Sequence, residues 1–120
     1  MTSYQSHTDE QLFSLLQDSD EAAFTEIYRR YWKLLFAVAA NKTGVLADAE
    51  EIVQEIFADL WKRRQAISIR HSLKSFLAGA VKFQVYIYFD KQHRQRESLQ
   101  QAAPGELQVD PYYDLSLIHI

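Results

Sequence analysis

Five side chains in the second half of the chain combine positive charge with aromatic rings at helical spacing. At 100° per residue they fall within about 80° of one another on a helix surface. Cations that track a phosphate backbone, interleaved with rings that stack on bases, are the groups that bind single-stranded nucleic acid. The pattern therefore predicts a nucleic-acid-binding stripe, with a core-facing or partner-facing position as the alternative for each ring. The stripe consists of Lys82, Tyr86, Phe89, His93 and Arg96.

A second set of polar side chains lies in the segment 49–61. Apolar residues there recur every three or four positions and define one side of a helix, which leaves carboxylates and an amide on the other side. Such a face suits docking against a basic partner helix, with steering by charge. A solvated acidic surface without a partner is the alternative. The face consists of Glu51, Gln54, Glu55 and Asp59.

Side chains suited to catalysis or metal binding lack the spacing that such sites need. The chain has no cysteine, which excludes disulfides, thiolate metal sites and cysteine nucleophiles. Its 4 histidines show no ligand spacing, and no glycine-rich phosphate loop is present. Glu50, Glu51 and Glu55 lack the Glu-x-x-His partner helix of a carboxylate metal site. We therefore expect no enzymatic activity, no metal site and no cofactor.

Charge is strongly segregated along the chain, although the net charge is only −3. Residues 1–60 carry 4 basic and 11 acidic groups, whereas residues 61–96 carry 9 basic groups and one acid, a net of +8. The basic segment is suited to attracting phosphate. No apolar run is long enough to span a bilayer, and the polar N-terminus lacks the features of a signal peptide. We expect a cytoplasmic protein with no membrane association.

Four amphipathic segments must position these side chains. Apolar periodicity predicts helices at about residues 9–17, 21–40, 46–64 and 73–96, and only 3 Gly and 2 Pro interrupt the chain. Asp48 and Glu51 have capping-box spacing for the third helix, while Thr43 is an alternative start. That helix must bury Phe57, Leu60 and Trp61. The prediction is an all-α domain, a compact bundle of about four helices.

Residues 83–89 are the ambiguous part of the fourth segment. Their aromatic and β-branched side chains, taken alone, favour a strand. We predict a helix instead, because no second strand is available nearby for pairing. The residues expected on its buried side are Leu73, Phe76, Leu77, Ala80, Gln84 and Ile87 or Tyr88.

Several strings in this array resemble a known family. The string Ala49-Glu-Glu-Ile-Val-Gln-Glu-Ile-Phe-Ala-Asp-Leu-Trp61 is similar to Ala-Glu-Asp-Ile-Val-Gln-Glu-Val-Phe, followed by Leu-Trp, in bacterial sigma factors of the extracytoplasmic-function (ECF) class. Residues 9–12, 20–24 and 27–32 resemble that family's first two helices in order and spacing. The resemblance covers residues 9–96 and implies the helical domain, region 2, that binds core RNA polymerase and melts promoters.

The resemblance also implies partners and roles. The acidic face would bind the coiled coil on the clamp of the largest polymerase subunit, and an anti-sigma factor is a further expected partner. The fourth helix and the loop 65–71 would recognise the −10 element on the non-template strand, with one base flipped into a pocket near the loop. The DNA contacts would be Arg63, Arg64, Arg70, Lys74 and Lys82, together with the stripe residues Tyr86, Phe89, His93 and Arg96.

The chain departs from the family pattern in two respects. Phe83 replaces a usual asparagine and Asp90 inverts a charge, so base preference cannot be transferred. After residue 96 we expect the start of an interdomain linker at 97–114 and a non-native tail at 115–120 that resembles translated adapter sequence, with an ordinary apolar tail as the alternative. The helix-turn-helix domain of ECF sigma factors is not present, which suggests a fragment of a longer protein.

A helical protein-interaction module, such as an adaptor or antitoxin without DNA binding, is the competing prediction. It would explain the acidic face but would give the basic segment 61–96 no role. Salt-dependent binding of single-stranded promoter DNA would distinguish the two functions.

Overall fold

The computed structural model describes residues 4–102 of the chain. This part forms a short 3-10 helix at Tyr4–Ser6 followed by four α-helices, and it contains no strand. The predicted all-α bundle is therefore confirmed, including the helical state of residues 83–89. The helices are α1 (Asp9–Gln17), α2 (Glu21–Thr43), α3 (Leu46–Lys62) and α4 (Leu73–Ala102).

Polar side chains start three of these helices. The Thr8 hydroxyl accepts from the Gln11 backbone N–H, and the Gln11 side chain accepts from the Thr8 N–H, which completes a capping box for α1. Asp20 accepts from the N–H of Ala23 at the start of α2, and Ser72 accepts from the N–H of Ser75 at the start of α4. Each cap satisfies a backbone donor that the first helical turn leaves without a partner.

Three helix ends differ from the predicted ones. The second helix continues beyond residue 40 to Thr43, because the left-handed residue that stops it is Gly44, with φ 74°. The third ends at Lys62 and not at residue 64, where the chain turns towards the loop. The fourth continues beyond residue 96 to Ala102, so residues 97–102, predicted as the start of a linker, are helical. Residues 97–102 contain no proline or glycine to stop a helix. The linker beyond residue 102 and the non-native tail at 115–120 lie outside the described residues.

The core lies where α3 packs against the other helices. Its most central ring is Phe57, which is 2% exposed and contacts the rings of Phe24 and Tyr28. Trp61, which was predicted to be buried, is only partly buried, because it lies at the edge of the core with its ring edge-on to Phe24. The fully buried α3 side chains are Ala49, Ile52, Val53, Ile56, Phe57 and Leu60.

One row of buried side chains packs α4 against the other helices. The row consists of Leu73, Leu77, Val81 and Val85, all at most 3% exposed. Of the predicted alternatives Ile87 and Tyr88, Tyr88 is the one packed against the core, whereas Ile87 is 40% exposed. The predicted row was incomplete, because it did not include Val81 and Val85.

A hydrogen bond links the distal part of α4 to the first turn of α3. The Tyr88 hydroxyl donates to the Asp48 carboxylate at 2.5 Å, and partial burial together with this bond raises the pKa of Tyr88 to about 12. Asp48 is therefore not the capping residue that was predicted. The N-cap position of α3 is Val45, which has no side-chain cap.

The N-terminal segment is held against α1 and α2 by one arginine. The Arg30 guanidinium forms ion pairs with Asp9 and Glu26, each at 3.0 Å. It also donates to the carbonyl oxygens of Tyr4, Gln5 and His7. Glu26, at 7% exposed, is the buried charged side chain among the described residues. None of the described helices is long and apolar enough to cross a membrane.

Candidate functional site

The outer side of α3 carries the predicted acidic face. Glu51, Gln54 and Glu55 are all exposed, opposite the buried row of the same helix. The Gln54 side-chain amide donates to the Tyr28 hydroxyl at 3.2 Å, so this residue of α2 helps to orient the amide. These three polar groups therefore share one accessible surface, as predicted. We use the name acidic face for Glu51, Gln54, Glu55 and Asp59.

Asp59, at the end of this face, differs from the other members because it has a cation beside it. The Arg63 guanidinium contacts its carboxylate at 2.8–3.0 Å through two nitrogens, in an i,i+4 pair at the surface. The hydrogen bond and charge of Asp59 raise the pKa of Arg63. Exposed pairs of this kind contribute little to stability and can be rearranged by a partner. Asp59 and Arg63, predicted for different partners, thus neutralise each other in the free domain.

Arg64, predicted as a DNA contact, is engaged within the domain. Its guanidinium lies 4.1 Å from the centre of the Trp61 ring and donates to the Trp61 carbonyl oxygen at 2.6 Å. Two other nitrogens donate to the Ser19 hydroxyl at 2.8 and 3.1 Å. These contacts join the end of α3 to the turn between α1 and α2, which gives Arg64 a structural role in the free domain.

The predicted cation and ring stripe on α4 is only partly exposed. Lys82, Tyr86 and Arg96 are exposed, with Tyr86 at 52%. Phe89 is partly buried and packs edge-on against Tyr88 with a centroid distance of 5.1 Å. His93 lies 3.3 Å from Glu97 and has 25% of its side chain exposed. The ring most accessible to a base within the stripe is therefore Tyr86.

A large exposed ring, Phe83, was missed as a surface feature. Its side chain is 60% exposed, compared with 52% for Tyr86. From the sequence, Phe83 was noted only as a replacement for a usual asparagine and was not predicted to be an exposed ring. The buried row of α4 provides the signal that could have identified it. Phe83 lies about 160° around the helix axis from each of Val81 and Val85, so it is on the opposite side of the helix.

A cavity lies between α1 and the loop that joins α3 to α4. Its volume is about 380 Å³, and its lining combines the apolar side chains Phe13, Ile67 and Ile69 with polar groups that include His71. The Gln17 amide donates to the carbonyl oxygens of Arg64 and Ile67 at 3.1 and 3.2 Å, which fixes the loop against α1. A cleft of this volume is large enough for a small ligand.

The remaining predicted DNA contacts, Arg70 and Lys74, are exposed on this loop and on the first turn of α4. Among the described residues, none of the predicted DNA-binding cations lines the cavity, and its charged lining residues are Asp9 and Glu10 on the α1 side. No group of three or more potential metal ligands occurs among the described residues.

Comparison with known proteins identifies the family. The sequence profile described as Sigma-70 region 2 matches residues 27–95, which is more than half of the chain. No curated protein and no solved structure matches the chain. Proteins with this region act in transcription initiation, bind core RNA polymerase and promoter DNA, and do not form an enzyme family. Because the match spans α3 and the parts of α2 and α4 that carry the surfaces described above, the chain belongs to the Sigma-70 region 2 family.

Proposed function

We propose that this domain is the core-binding and promoter-melting part of an ECF-class sigma factor. The observation that carries the proposal is the presence of two exposed surfaces of opposite character on adjacent helices of one small domain. The acidic face on α3 suits a basic protein helix, and Lys82 with Tyr86 on α4 suits a melted DNA strand. The resemblance of residues 49–61 to the ECF pattern supports the subclass.

The acidic face would dock on the clamp coiled coil of the largest polymerase subunit. Glu51, Gln54 and Glu55 occupy successive turns of one helix side, as helix-to-helix docking requires. Carboxylates on this side would steer a basic partner before contact and fix its register afterwards. The same accessible face is the surface that we expect an anti-sigma factor to cover in the cytoplasm.

The DNA surface would combine backbone contacts with base contacts. Arg70, Lys74 and Lys82 are exposed cations suited to phosphate, and Tyr86 is an exposed ring suited to base stacking. The cavity beside the loop would accept a base flipped out of the −10 element on the non-template strand. Its lining supports this role because it combines apolar side chains, such as Phe13 and Ile69, with hydrogen-bonding groups, such as Ser14 and His71.

The first prediction concerns polymerase binding. Replacing Gln54 and Glu55 together with alanine should weaken binding to core RNA polymerase by about thirtyfold, because hot-spot side chains contribute about 2 kcal/mol or more. Both side chains are exposed, so the fold should be retained. Fluorescence anisotropy of the labelled chain with core polymerase would measure the affinity, and far-UV circular dichroism would measure the helicity.

A matched control for this prediction is Glu21→Ala. Glu21 is exposed in the first turn of α2, so this substitution removes one carboxylate from a different helix, outside the acidic face. Its effect on affinity should be no more than about twofold, which corresponds to about 0.4 kcal/mol. Equal affinities for the wild type, the double variant and the control would remove the acidic face from the polymerase interface.

The second prediction concerns DNA. Lys82→Ala should lower the slope of log affinity against log salt by about 0.7 for a single-stranded −10 oligonucleotide, since that is the contribution of one neutralised phosphate. Tyr86→Ala should leave the slope unchanged and weaken binding by about 1–3 kcal/mol, because stacking is not ionic. Titrations at several salt concentrations, with matched and scrambled oligonucleotides, measure both effects.

Lys42→Ala is the control for Lys82, because Lys42 is an exposed cation in the last turn of α2. It should change neither slope nor affinity. A wild-type chain that binds the oligonucleotide without salt dependence and without preference for the matched strand would refute the DNA contacts. The competing function, a protein-interaction module without DNA binding, would then be favoured.

A further inference from the structure

The ion pair between Asp59 and Arg63 lies where the two proposed surfaces meet. Both side chains line a groove of about 690 Å³ between α3 and α4. The α4 wall of this groove includes Gly79 and Phe83, which lie on the same side of that helix as Tyr86, the exposed ring proposed for DNA. Asp59 also belongs to the acidic face proposed for polymerase. A change in this pair therefore affects both surfaces.

Three contacts hold the pair together. The Arg63 Nε lies 3.0 and 2.9 Å from the two carboxylate oxygens of Asp59, and a terminal guanidinium nitrogen lies 2.8 Å from Oδ2. Carboxylate and phosphate both accept from a guanidinium in this two-pronged manner. In the free domain, an edge of Arg63 that suits a phosphate is therefore already occupied by a carboxylate.

The other exposed cations proposed for the DNA backbone differ from Arg63. Arg70, Lys74 and Lys82 have no ion-pair partner among the described residues. Each can neutralise a phosphate and release the counterions of that phosphate, whereas Arg63 must first lose its own anion. Exchange of the Asp59 carboxylate for a phosphate releases few ions in total, because the freed carboxylate attracts cations in turn.

We propose that Asp59 restrains Arg63 from DNA in the free domain and releases it when polymerase binds. This inference rests on the proposed function and adds a regulated contact to it. A basic side chain of the polymerase helix that paired with Asp59 would replace the guanidinium there, and Arg63 would then donate to a phosphate. Polymerase binding and DNA binding by this domain would therefore favour each other.

The exposure of the pair makes this exchange possible at a small cost. The side chains of Asp59 and Arg63 are 42% and 54% exposed, so water and either partner can reach both groups. Exposed ion pairs are weak, and a charged partner can therefore displace one of the two members. A buried pair of the same geometry would resist displacement, because its members would be desolvated.

Removal of the carboxylate tests the restraint in the free 120-residue chain. Asp59→Asn should strengthen binding of the single-stranded −10 oligonucleotide by about threefold at low salt, because an exposed ion pair no longer competes with phosphate. The slope of log affinity against log salt should become steeper by about 0.7, since one more phosphate is neutralised. Fluorescence titrations at several salt concentrations measure both quantities.

Glu55→Gln is the matched control for these titrations, which contain no polymerase. Glu55 is exposed, lines the same groove one turn before Asp59, and has no ion-pair partner among the described residues. This substitution removes the same charge but releases no cation. Its slope should equal that of the wild type, and its gain in affinity should be no more than about 1.5-fold, because salt screens repulsion across solvent.

Arg63→Gln identifies the cation that responds. This variant alone should bind the oligonucleotide within about twofold of the wild type, because its charge is already neutralised in the free chain. In the Arg63→Gln background, Asp59→Asn should behave like Glu55→Gln, since no guanidinium remains to be released. Far-UV circular dichroism of all variants would establish that the helices are retained.

Release by polymerase is measured by the same comparison in the complex. With saturating core RNA polymerase, the wild type and Asp59→Asn should bind the oligonucleotide with equal affinity, because Asp59 no longer restrains Arg63 in either complex. The contribution of the polymerase itself is the same in both complexes and cancels in the ratio. A threefold difference that persisted with polymerase would overturn the proposed release.

The outcomes distinguish this inference from the proposed function. Equal affinities and slopes for Asp59→Asn and Glu55→Gln, in a chain whose binding depends on salt, would overturn the inference and leave the function standing. Weaker DNA binding by Asp59→Asn together with lower helicity would give the pair a structural role and would also overturn it. Salt-independent binding by the wild type and every variant would refute the DNA contacts themselves.

Discussion

Replacement of Phe57 by alanine is expected to lower the free energy of unfolding by about 3–5 kcal/mol, which is the usual cost of removing a buried phenyl ring. Phe57 is 2% exposed and packs between Phe24 and Tyr28, with centroid distances of 6.3 and 4.7 Å. A small domain has about 5–15 kcal/mol of stability in total, so the variant should be close to unfolding at room temperature.

Urea denaturation followed by far-UV circular dichroism would measure this loss. Leu99→Ala is a suitable control, because Leu99 is 69% exposed on α4 and its truncation should change stability by no more than about 0.5 kcal/mol. Equal losses in the two variants would mean that Phe57 does not lie at the centre of the core. A loss confined to Phe57 would confirm that the inner side of α3 has a structural role, while its outer side remains available for a partner.

Arg30→Ala is expected to have an effect of similar size for a different reason. The substitution leaves the carboxylate of Glu26, at 7% exposed, without its closest cation and removes an ion pair from Asp9. Breaking a buried ion pair by removing one partner costs about 3–5 kcal/mol, and the exposed Arg29, which stays 3.2 Å from Glu26, offsets only part of this loss. Three carbonyl oxygens of the N-terminal segment lose a donor at the same time.

The adjacent arginine supplies the control for this prediction. Arg29 also contacts Glu26, at 3.2 Å, but 62% of its side chain is exposed. Arg29→Ala should therefore cost no more than about 1 kcal/mol, as for other exposed ion pairs. Thermal and urea unfolding of the two variants would compare them directly. Similar small losses would indicate that Arg30 is solvated in solution and does not hold the N-terminal segment.

Local sequence rules predicted most of the helical array, because apolar periodicity and caps act over a few residues. They were less accurate at helix ends. The Asn41-Lys-Thr43 segment tolerates a helix until Gly44 supplies the left-handed conformation, and residues 97–102 contain no breaker despite a composition that suggested a linker. A polar composition does not by itself end a helix when proline and glycine are absent.

The acidic face was predictable because α3 has enough apolar residues on one side to determine which side of the helix faces outwards. The rotation of α4 was not, since several of its sides carry aromatic or aliphatic residues. That rotation depends on distant contacts, such as the bond from Tyr88 to Asp48, 40 residues apart in sequence. The contacts between Arg64 and Ser19 are equally nonlocal, and no local pattern indicates that this cation is engaged.

The length of α4 has a consequence for whatever the chain carries after it. Beyond Tyr88, which contacts the first turn of α3, the helix continues for 14 residues to Ala102, and residues 94–99 are all exposed. A helix segment this short is close to its helix–coil midpoint when it lacks tertiary support, even with i,i+4 pairs such as Asp90 with Arg94. Its last turns can therefore unwind and re-form without disturbing the bundle. The end of α4 would act as an adjustable joint, so that the following segment could change its orientation while both surfaces of the domain stay bound.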